Sequence, residues 1–375
     1  MAGIYIHIPF CSKKCNYCDF YSIVPIARKS EFVDALISEI VLRKSFLEGE
    51  IVETVYFGGG TPSLLEISEL NKILNTIAKE NQLSGNLEIT FEANPENLSR
   101  EYIQALKQEG VNRLSIGTQS FVDSHLQFLK RTHNAKEAVM AVNNAFSLGI
   151  ENISIDLIYG LPNLTDEEWK RNLKQAFDLP IKHLSSYHLT YEEGTLLYKR
   201  MKQGKVIPIN EDSSINQFKI LIDNTSKYNF EHYEISNFAP KGYYSKHNLS
   251  YWQQKKYLGL GPSAHSYNGI KREWNVSNLV KYIEGIQKKN RICSSEVLSD
   301  KDIANEYLIT NLRTKWGINK LYFQAQYTQG EYQIFNHQIM ELINQGLLKE
   351  KFNNIVLTEE GMFLSDLIIE KLYKI

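Results

Sequence analysis

Cysteine is scarce in this chain: four in 375 residues, of which Cys11, Cys15 and Cys18 fall within eight positions and Cys293 stands alone. A scaffold stapled by disulfides is thereby excluded, because three clustered thiols cannot pair off and a chain of this length builds an ordinary core. Excess charge of one sign is also missing. The 42 Lys and Arg are matched by 43 Asp and Glu, a net charge of -1, so nothing draws the whole chain to a phosphate backbone and no nucleic-acid partner is expected. No apolar run approaches the length that crosses a bilayer, and the N-terminus lacks a basic region followed by an apolar one. Together these absences predict a cytoplasmic protein whose thiols stay reduced and available to metal.

What is present is organised around Cys11-Ser-Lys-Lys-Cys15-Asn-Tyr17-Cys18-Asp-Phe20, placed directly after a strand-like segment. Thiols at x3 and x2 spacing let a loop wrap so that all three sulfurs face one centre. Two sites fit that pattern. Three thiolates can hold an iron-sulfur cube and leave one iron open to an exogenous ligand, or they can join a nearby imidazole, such as that of His7, in a closed zinc site. Spacing leaves both open. Lys13 and Lys14 are expected to lower the thiol pKa values, and Cys293 reads as incidental.

From residue 3 onward, β-rich segments alternate with segments of 3.6-residue period, the pattern of a parallel sheet wrapped by helices. The six predicted strands are Gly3 to Ile8, Thr54 to Phe57, Leu87 to Glu92, Arg113 to Gly117, Asn152 to Ile158 and His183 to Leu189. A capping box at Thr165-x-x-Glu168 and glycines at 110 and 149 mark helix ends. Six β/α units are fewer than a full TIM barrel, so the expectation is an α/β fold: a partial, laterally open (β/α)6 barrel. Its functional groups should lie at the C-terminal ends of the strands. Gly58-Gly59-Gly60-Thr61-Pro62 follows the second strand, Glu92 ends the third, Gln119 ends the fourth and Asp156 lies in the fifth. Each polar group reads either as a cap or internal salt bridge, or as a ligand contact, and the succession at strand ends favours the latter. Arg131, beside Lys130, reads on its own as solvated.

Past residue 190 the alternation loosens: helical segments near Glu211 to Lys227 precede a short strand, His232 to Ile235, and then a region that reads as irregular, containing His247-Asn248-Leu249-Ser250-Tyr251-Trp252 and Leu258-Gly-Leu-Gly261-Pro262-Ser-Ala-His265. A single histidine in a loop reads as a packed corner, and His265 is given no role. The expected domains are 1–235, the barrel; 236–298, a connecting region; and 299–375, mostly helical with a hairpin at the Asn353-Asn354 turn.

The C-x3-C-x2-C pattern, with Tyr17 before the last cysteine, resembles that of the radical S-adenosylmethionine (SAM) superfamily. The preceding Tyr5-Ile-His-Ile-Pro9-Phe10 resembles its oxygen-independent coproporphyrinogen III oxidase branch, with that branch's HemW-type haem-chaperone relatives. The resemblance implies the open barrel, a 4Fe-4S cluster on Cys11, Cys15 and Cys18, and SAM chelating the fourth iron. It places SAM contacts at Tyr5, Gly59, Gly60, Thr61, Glu92, Gln119, Arg131 and Asp156, with Tyr17 among the cofactor-binding residues. The C-terminal segment resembles the winged-helix-like domain of the same family, read here as a packing or protein-docking module.

Within that branch the cysteine run of the oxidases continues to a fourth Cys where this chain has Phe20, and the oxidases carry an N-terminal extension where the Tyr5 strand here starts almost at Met1. His247-Asn-x-x-Tyr251-Trp252 looks like the haem-binding motif of the chaperones, which makes His247 the candidate axial ligand. The resemblance thus implies a protein that holds haem and delivers it to apo-haemoproteins such as respiratory enzymes, and that needs an electron donor for its cluster. The alternative is the oxidase, a radical SAM decarboxylase of porphyrin biosynthesis. Peripheral membrane attachment and a homodimer are left open.

Overall fold

The structure, a computed structural model, describes residues 2–24, 27–325 and 328–373. Six strands run parallel in sequence order: β1 (Ala2–Ile8), β2 (Val52–Gly59), β3 (Leu83–Ala93), β4 (Arg113–Gln119), β5 (Asn152–Tyr159) and β6 (His183–His188). Between them run helices whose apolar stripes cover the outer face, such as Ile67–Glu80, which buries Leu70, Ile73 and Ile77. The capping box of Thr165 and Glu168 forms at the start of Asp166–Phe177, and Gly110 and Gly149 take the left-handed conformation that ends a helix. The sheet curls but does not close, giving the open barrel expected from the alternation.

The region read as irregular is ordered, and it lengthens the sheet on both sides. Strands β7 (Glu231–Glu234) and β8 (Asn237–Ala239) add antiparallel beyond β6. On the other side β9 (Tyr257–Leu260) pairs parallel with β1, and β10 (His265–Tyr267), β11 (Lys271–Asn275) and β12 (Cys293–Val297) follow antiparallel. The result is a 12-stranded sheet with β1 in its interior. The short strand expected at His232 to Ile235 is present as β7, whereas β8 to β12, three to five residues long, escaped notice because so short a run carries no readable period. His247 likewise lies not in a loop but in the helix Lys246–Trp252, capped by the Ser245 hydroxyl.

A buried polar network fastens this extension to the first crossover helix, Lys29–Leu42. Glu39, fully buried, accepts hydrogen bonds from Asn275 Nδ2 at 2.7 Å, the Tyr282 hydroxyl at 2.7 Å and the Gly261 N–H at 2.9 Å. Arg43, at that helix's C-terminal cap, donates to the Gly259 carbonyl and the Ser266 hydroxyl, both at 2.9 Å, and to Glu273 at 3.1 Å. Burying a carboxylate is costly unless its oxygens are satisfied, and here they are.

Residues beyond 299 pack around a core of their own that includes Leu308, Phe323, Phe335, Ile339 and Ile355. The helices Asp300–Leu312 and Gln329–Asn344 precede a hairpin of Leu348–Lys351 and Asn354–Leu357, and Ser365–Leu372 closes the unit. This is the helix, hairpin, helix order anticipated from the sequence.

Replacing Glu39 with Ala removes the acceptor of the Tyr282 hydroxyl and the Gly261 N–H and one of the two acceptors of Asn275 Nδ2. It is expected to lower unfolding free energy by about 3–5 kcal/mol, read as a shift of the denaturant midpoint. An unchanged midpoint would mean that apolar contacts alone hold the extension.

Candidate functional site

The cysteine loop leaves the C-terminal end of β1 and is closed at its base by a two-way backbone exchange, Cys11 N–H to Ile23 O and Ile23 N–H to Pro9 O. Its tip is held by buried Asn16, whose side-chain Nδ2 donates to the Phe128 carbonyl at 2.7 Å and whose backbone carbonyl accepts from the Leu197 N–H at 2.8 Å. His7 pins the far limb: Nε2 donates to the Tyr21 carbonyl at 2.8 Å while Nδ1 lies 3.1 Å from the Tyr5 hydroxyl. Both imidazole nitrogens are thus engaged, which removes His7 as a fourth zinc ligand.

The second strand ends where this loop begins, and two glycines make the junction. Gly59 has φ of +106°, and a Cβ there would fall 2.6 Å from the His7 ring. At Gly60 a Cβ would meet the carbonyls of Phe10 and Ile8 at 2.6 and 2.9 Å and the Cys11 sulfur at 3.1 Å. Thr61 then turns its hydroxyl to Cys11 Sγ at 3.5 Å, and Arg131 Nη1 lies 3.5 Å from Cys15 Sγ.

Donors aimed at two of the sulfurs suit thiolate ligands, whose charge they offset. Among the described residues no three His, Cys, Asp or Glu side chains meet closely enough to hold one metal ion. Cys15 and Cys11 both lie within electrostatic reach of Cys18. The expectation of acidified thiols fails in one respect. Burial, reinforced by the neighbouring Cys15 and Cys11, pushes the Cys18 thiol up to about 11, while Lys13 and Lys14 point to solvent.

Arg131 is not solvated. Its guanidinium donates to Asn94 Oδ1 at 2.7 Å and the Gly117 carbonyl at 2.9 Å, and its buried Nε has no partner in the protein. Across the lumen, Glu92 accepts from the Tyr56 hydroxyl at 2.7 Å and the Gly59 N–H at 3.2 Å. Burial, helped by Asp156, still raises it to about 7. Burial also raises Asp156, to about 6, against hydrogen bonds from Ser185 and Ser115 and the pull of Arg113. Gln119 sits at φ of +63°, where the β4–β5 register slips. A side chain held in left-handed backbone at a strand end marks a constrained, site-like position. Tyr17 lies within electrostatic reach of Arg131, Cys15 and Asp156. Tyr5, Tyr17, Gly59, Gly60, Thr61, Glu92, Gln119, Arg131, Asp156 and the three cysteines therefore share one mouth of the barrel.

His247 does not share it. It lies at the opposite, N-terminal ends of the strands, against Gly3 and Thr54, with Nδ1 2.7 Å from the Thr54 hydroxyl and Nε2 2.9 Å from the Tyr251 hydroxyl. Its ring stacks on Tyr56, and burial lowers its pKa to about 3, so it is neutral. Sequence reasoning missed Arg113, a buried guanidinium within electrostatic reach of Glu88, Glu92 and Asp156. Its place at the first residue of a strand disguises it as a boundary charge. Also missed was a cavity of about 540 Å³ beside β1 and β9, lined by tyrosines, His265 and part of the helix Asp300–Leu312.

The "Radical SAM superfamily" profile matches residues 5–176, and the "HemN C-terminal domain" profile matches residues 298–364. The chain is 35% identical over 367 residues to the heme chaperone HemW of Lactococcus lactis, covering 98% of this chain and 96% of that one. It is 34% identical over 370 residues to the heme chaperone HemW of Bacillus subtilis, covering 98% and 97%. The structure of coproporphyrinogen III oxidase (HemN) from Escherichia coli superposes with a TM-score of 0.85 over 100% of this chain and 90% of that one, at 22% identity, a likeness of fold. Membership of the superfamily implies a 4Fe-4S cluster and SAM. With three clustered thiols at the mouth of an open barrel and full-length likeness to these relatives, the chain belongs to the HemW family within the radical SAM superfamily.

Proposed function

We propose that this protein is a cytoplasmic haem chaperone: it binds haem and passes it to apo-haemoproteins, and it carries a 4Fe-4S cluster with SAM. The observation that carries this reading is the extent of the likeness, since two proteins named heme chaperone HemW each match 98% of the chain. Cys11, Cys15 and Cys18 would hold the cluster, which when bound supplies a one-electron centre and an iron open to the amino-acid end of SAM.

The remaining roles follow from charge. Glu92, lifted by burial to about 7, gains most from an ammonium group beside it, which restores its ionised form. Arg131, with a buried Nε left unpaired, suits a carboxylate. Asp156, bridged to two serines, suits a ribose hydroxyl. Gly59, Gly60 and Thr61 bring backbone close to the same space, and Tyr5, Tyr17 and Gln119 wall it. The haem role assigns His247 as an iron ligand. Because Tyr251 holds Nε2, ligation there requires that hydroxyl to swing aside. An electron donor for the cluster and haem-requiring acceptors complete the reading.

Three outcomes are expected. Protein prepared without oxygen should be brown, and Ala at Cys11, Cys15 or Cys18 should bleach it; a colourless wild type holding stoichiometric zinc would refute the cluster. SAM affinity of the cluster-loaded protein should fall as pH drops through about 7 and Glu92 becomes protonated. In Glu92→Gln this dependence should flatten and affinity drop roughly tenfold. On one cluster-loaded sample, haem should transfer to an apo-haemoprotein, while coproporphyrinogen III with SAM and reductant should give no protoporphyrinogen. Appreciable decarboxylation would hand the case to the oxidase.

A further inference from the structure

The cavity of about 540 Å³ lies between β1, the β9–β11 edge and the helix Asp300–Leu312, with Phe20 and Tyr21 of the cysteine loop at its rim. Its size falls within the range of pockets that take one small molecule. Tyr5, Tyr21, Tyr251, Tyr257 and Tyr267 contribute to its walls. Tyr251 and Tyr257 meet edge to face at 4.6 Å, so the wall between them is a corner of flat rings. Planar apolar surfaces with a few polar edges are what a flat aromatic macrocycle packs against.

Two imidazoles besides the buried His247 line this space, His7 and His265, and only His265 is free, because the Tyr5 hydroxyl and the Tyr21 carbonyl engage both His7 ring nitrogens. His265 begins β10 and stacks on Trp274 at 5.6 Å with an interplanar angle of 17°. Among the described residues no hydrogen bond engages either of its ring nitrogens, and the side chain is exposed. His247 is buried with both nitrogens bonded, and the Tyr251 ring stands between it and the cavity. A metal entering from solvent meets His265 first. Arg272 and Glu306 are paired at the polar side of the cavity, next to the C-terminal unit.

We propose that this cavity is where haem docks and that His265 is its entry ligand, with His247 reached only after Tyr251 turns away. The proposal rests on the haem-chaperone reading. It adds a site, a ligand and an order of contact. The barrel mouth is left to SAM, so haem and SAM occupy adjacent spaces on either side of Tyr5 and His7.

The test is a ferric haem titration of the full-length protein, followed by absorbance and electron paramagnetic resonance, on wild type, His265→Ala, His265→Met, His247→Ala and Thr310→Trp. Thr310 is half-buried on the cavity wall and touches no imidazole role, so Trp there fills space alone. The expected result is a loss of affinity of roughly tenfold or more in His265→Ala and Thr310→Trp. His265→Met should retain binding with a changed ligand-field signature. His247→Ala should bind more weakly than wild type yet keep an imidazole-ligated spectrum, which a further His265→Ala change removes. Wild-type affinity and spectrum in both His265→Ala and Thr310→Trp would overturn the assignment while leaving the chaperone reading standing. A wild type that takes up no haem would sink the reading itself.

Discussion

The structure turns on a missing methyl group. Because residue 60 is glycine, the exit of β2 lies against the carbonyls of Ile8 and Phe10 and within reach of the Cys11 sulfur. Any Cβ there would push the second strand off the first just where the cysteine loop departs. That contact joins the two central strands, the thiol loop and, through Thr61 and the Gly59 N–H, the Glu92 carboxylate. Close packing transmits small displacements rather than absorbing them, so a shift at this junction would reach both the cysteine loop and the Gly59 N–H that bonds Glu92.

Charge in the lumen is arranged around the same region but is not neutralised pair by pair. Burial raises both Glu92 and Asp156, Asp156 adds to the rise at Glu92, and Arg113 pulls both the other way without forming a direct ion pair among the described residues. A group left partly uncompensated is one that an incoming ligand can complete. The serines on β4 and β6 that bond Asp156 keep it oriented meanwhile.

The central barrel was legible in the sequence because six β/α units each supply a strand of at least six residues and a helix with a full apolar stripe. The site at its mouth was legible because polar residues interrupt apolar strands at matching ends, and the cysteine spacing stood out against an otherwise cysteine-poor chain. The rest was hidden for physical reasons. Strands of three to five residues carry no period, and His247 reads as a loop residue because its helix is only seven residues long. Arg131 reads as a surface charge because nothing in Lys130-Arg131 shows that Asn94 and the Gly117 carbonyl wait for the guanidinium. The lysines beside the cysteines misled about the Cys18 thiol, since burial there outweighs charges that face water.

The order of the sheet carries a consequence for how the molecule is made. Strand β1 is made before the strands it pairs with, yet it is not an edge strand in the finished protein: Tyr5 pairs with Tyr56 on one side and with Gly259 on the other. Until the ribosome has delivered Gly259, one flank of β1 has no partner, and an open flank of hydrogen-bonding groups invites pairing with foreign chains. Native contact must therefore be made across most of the chain's length, which is slow by comparison with local pairing. Nascent chains of this protein therefore pass through a stage in which a largely apolar strand is paired on one side only.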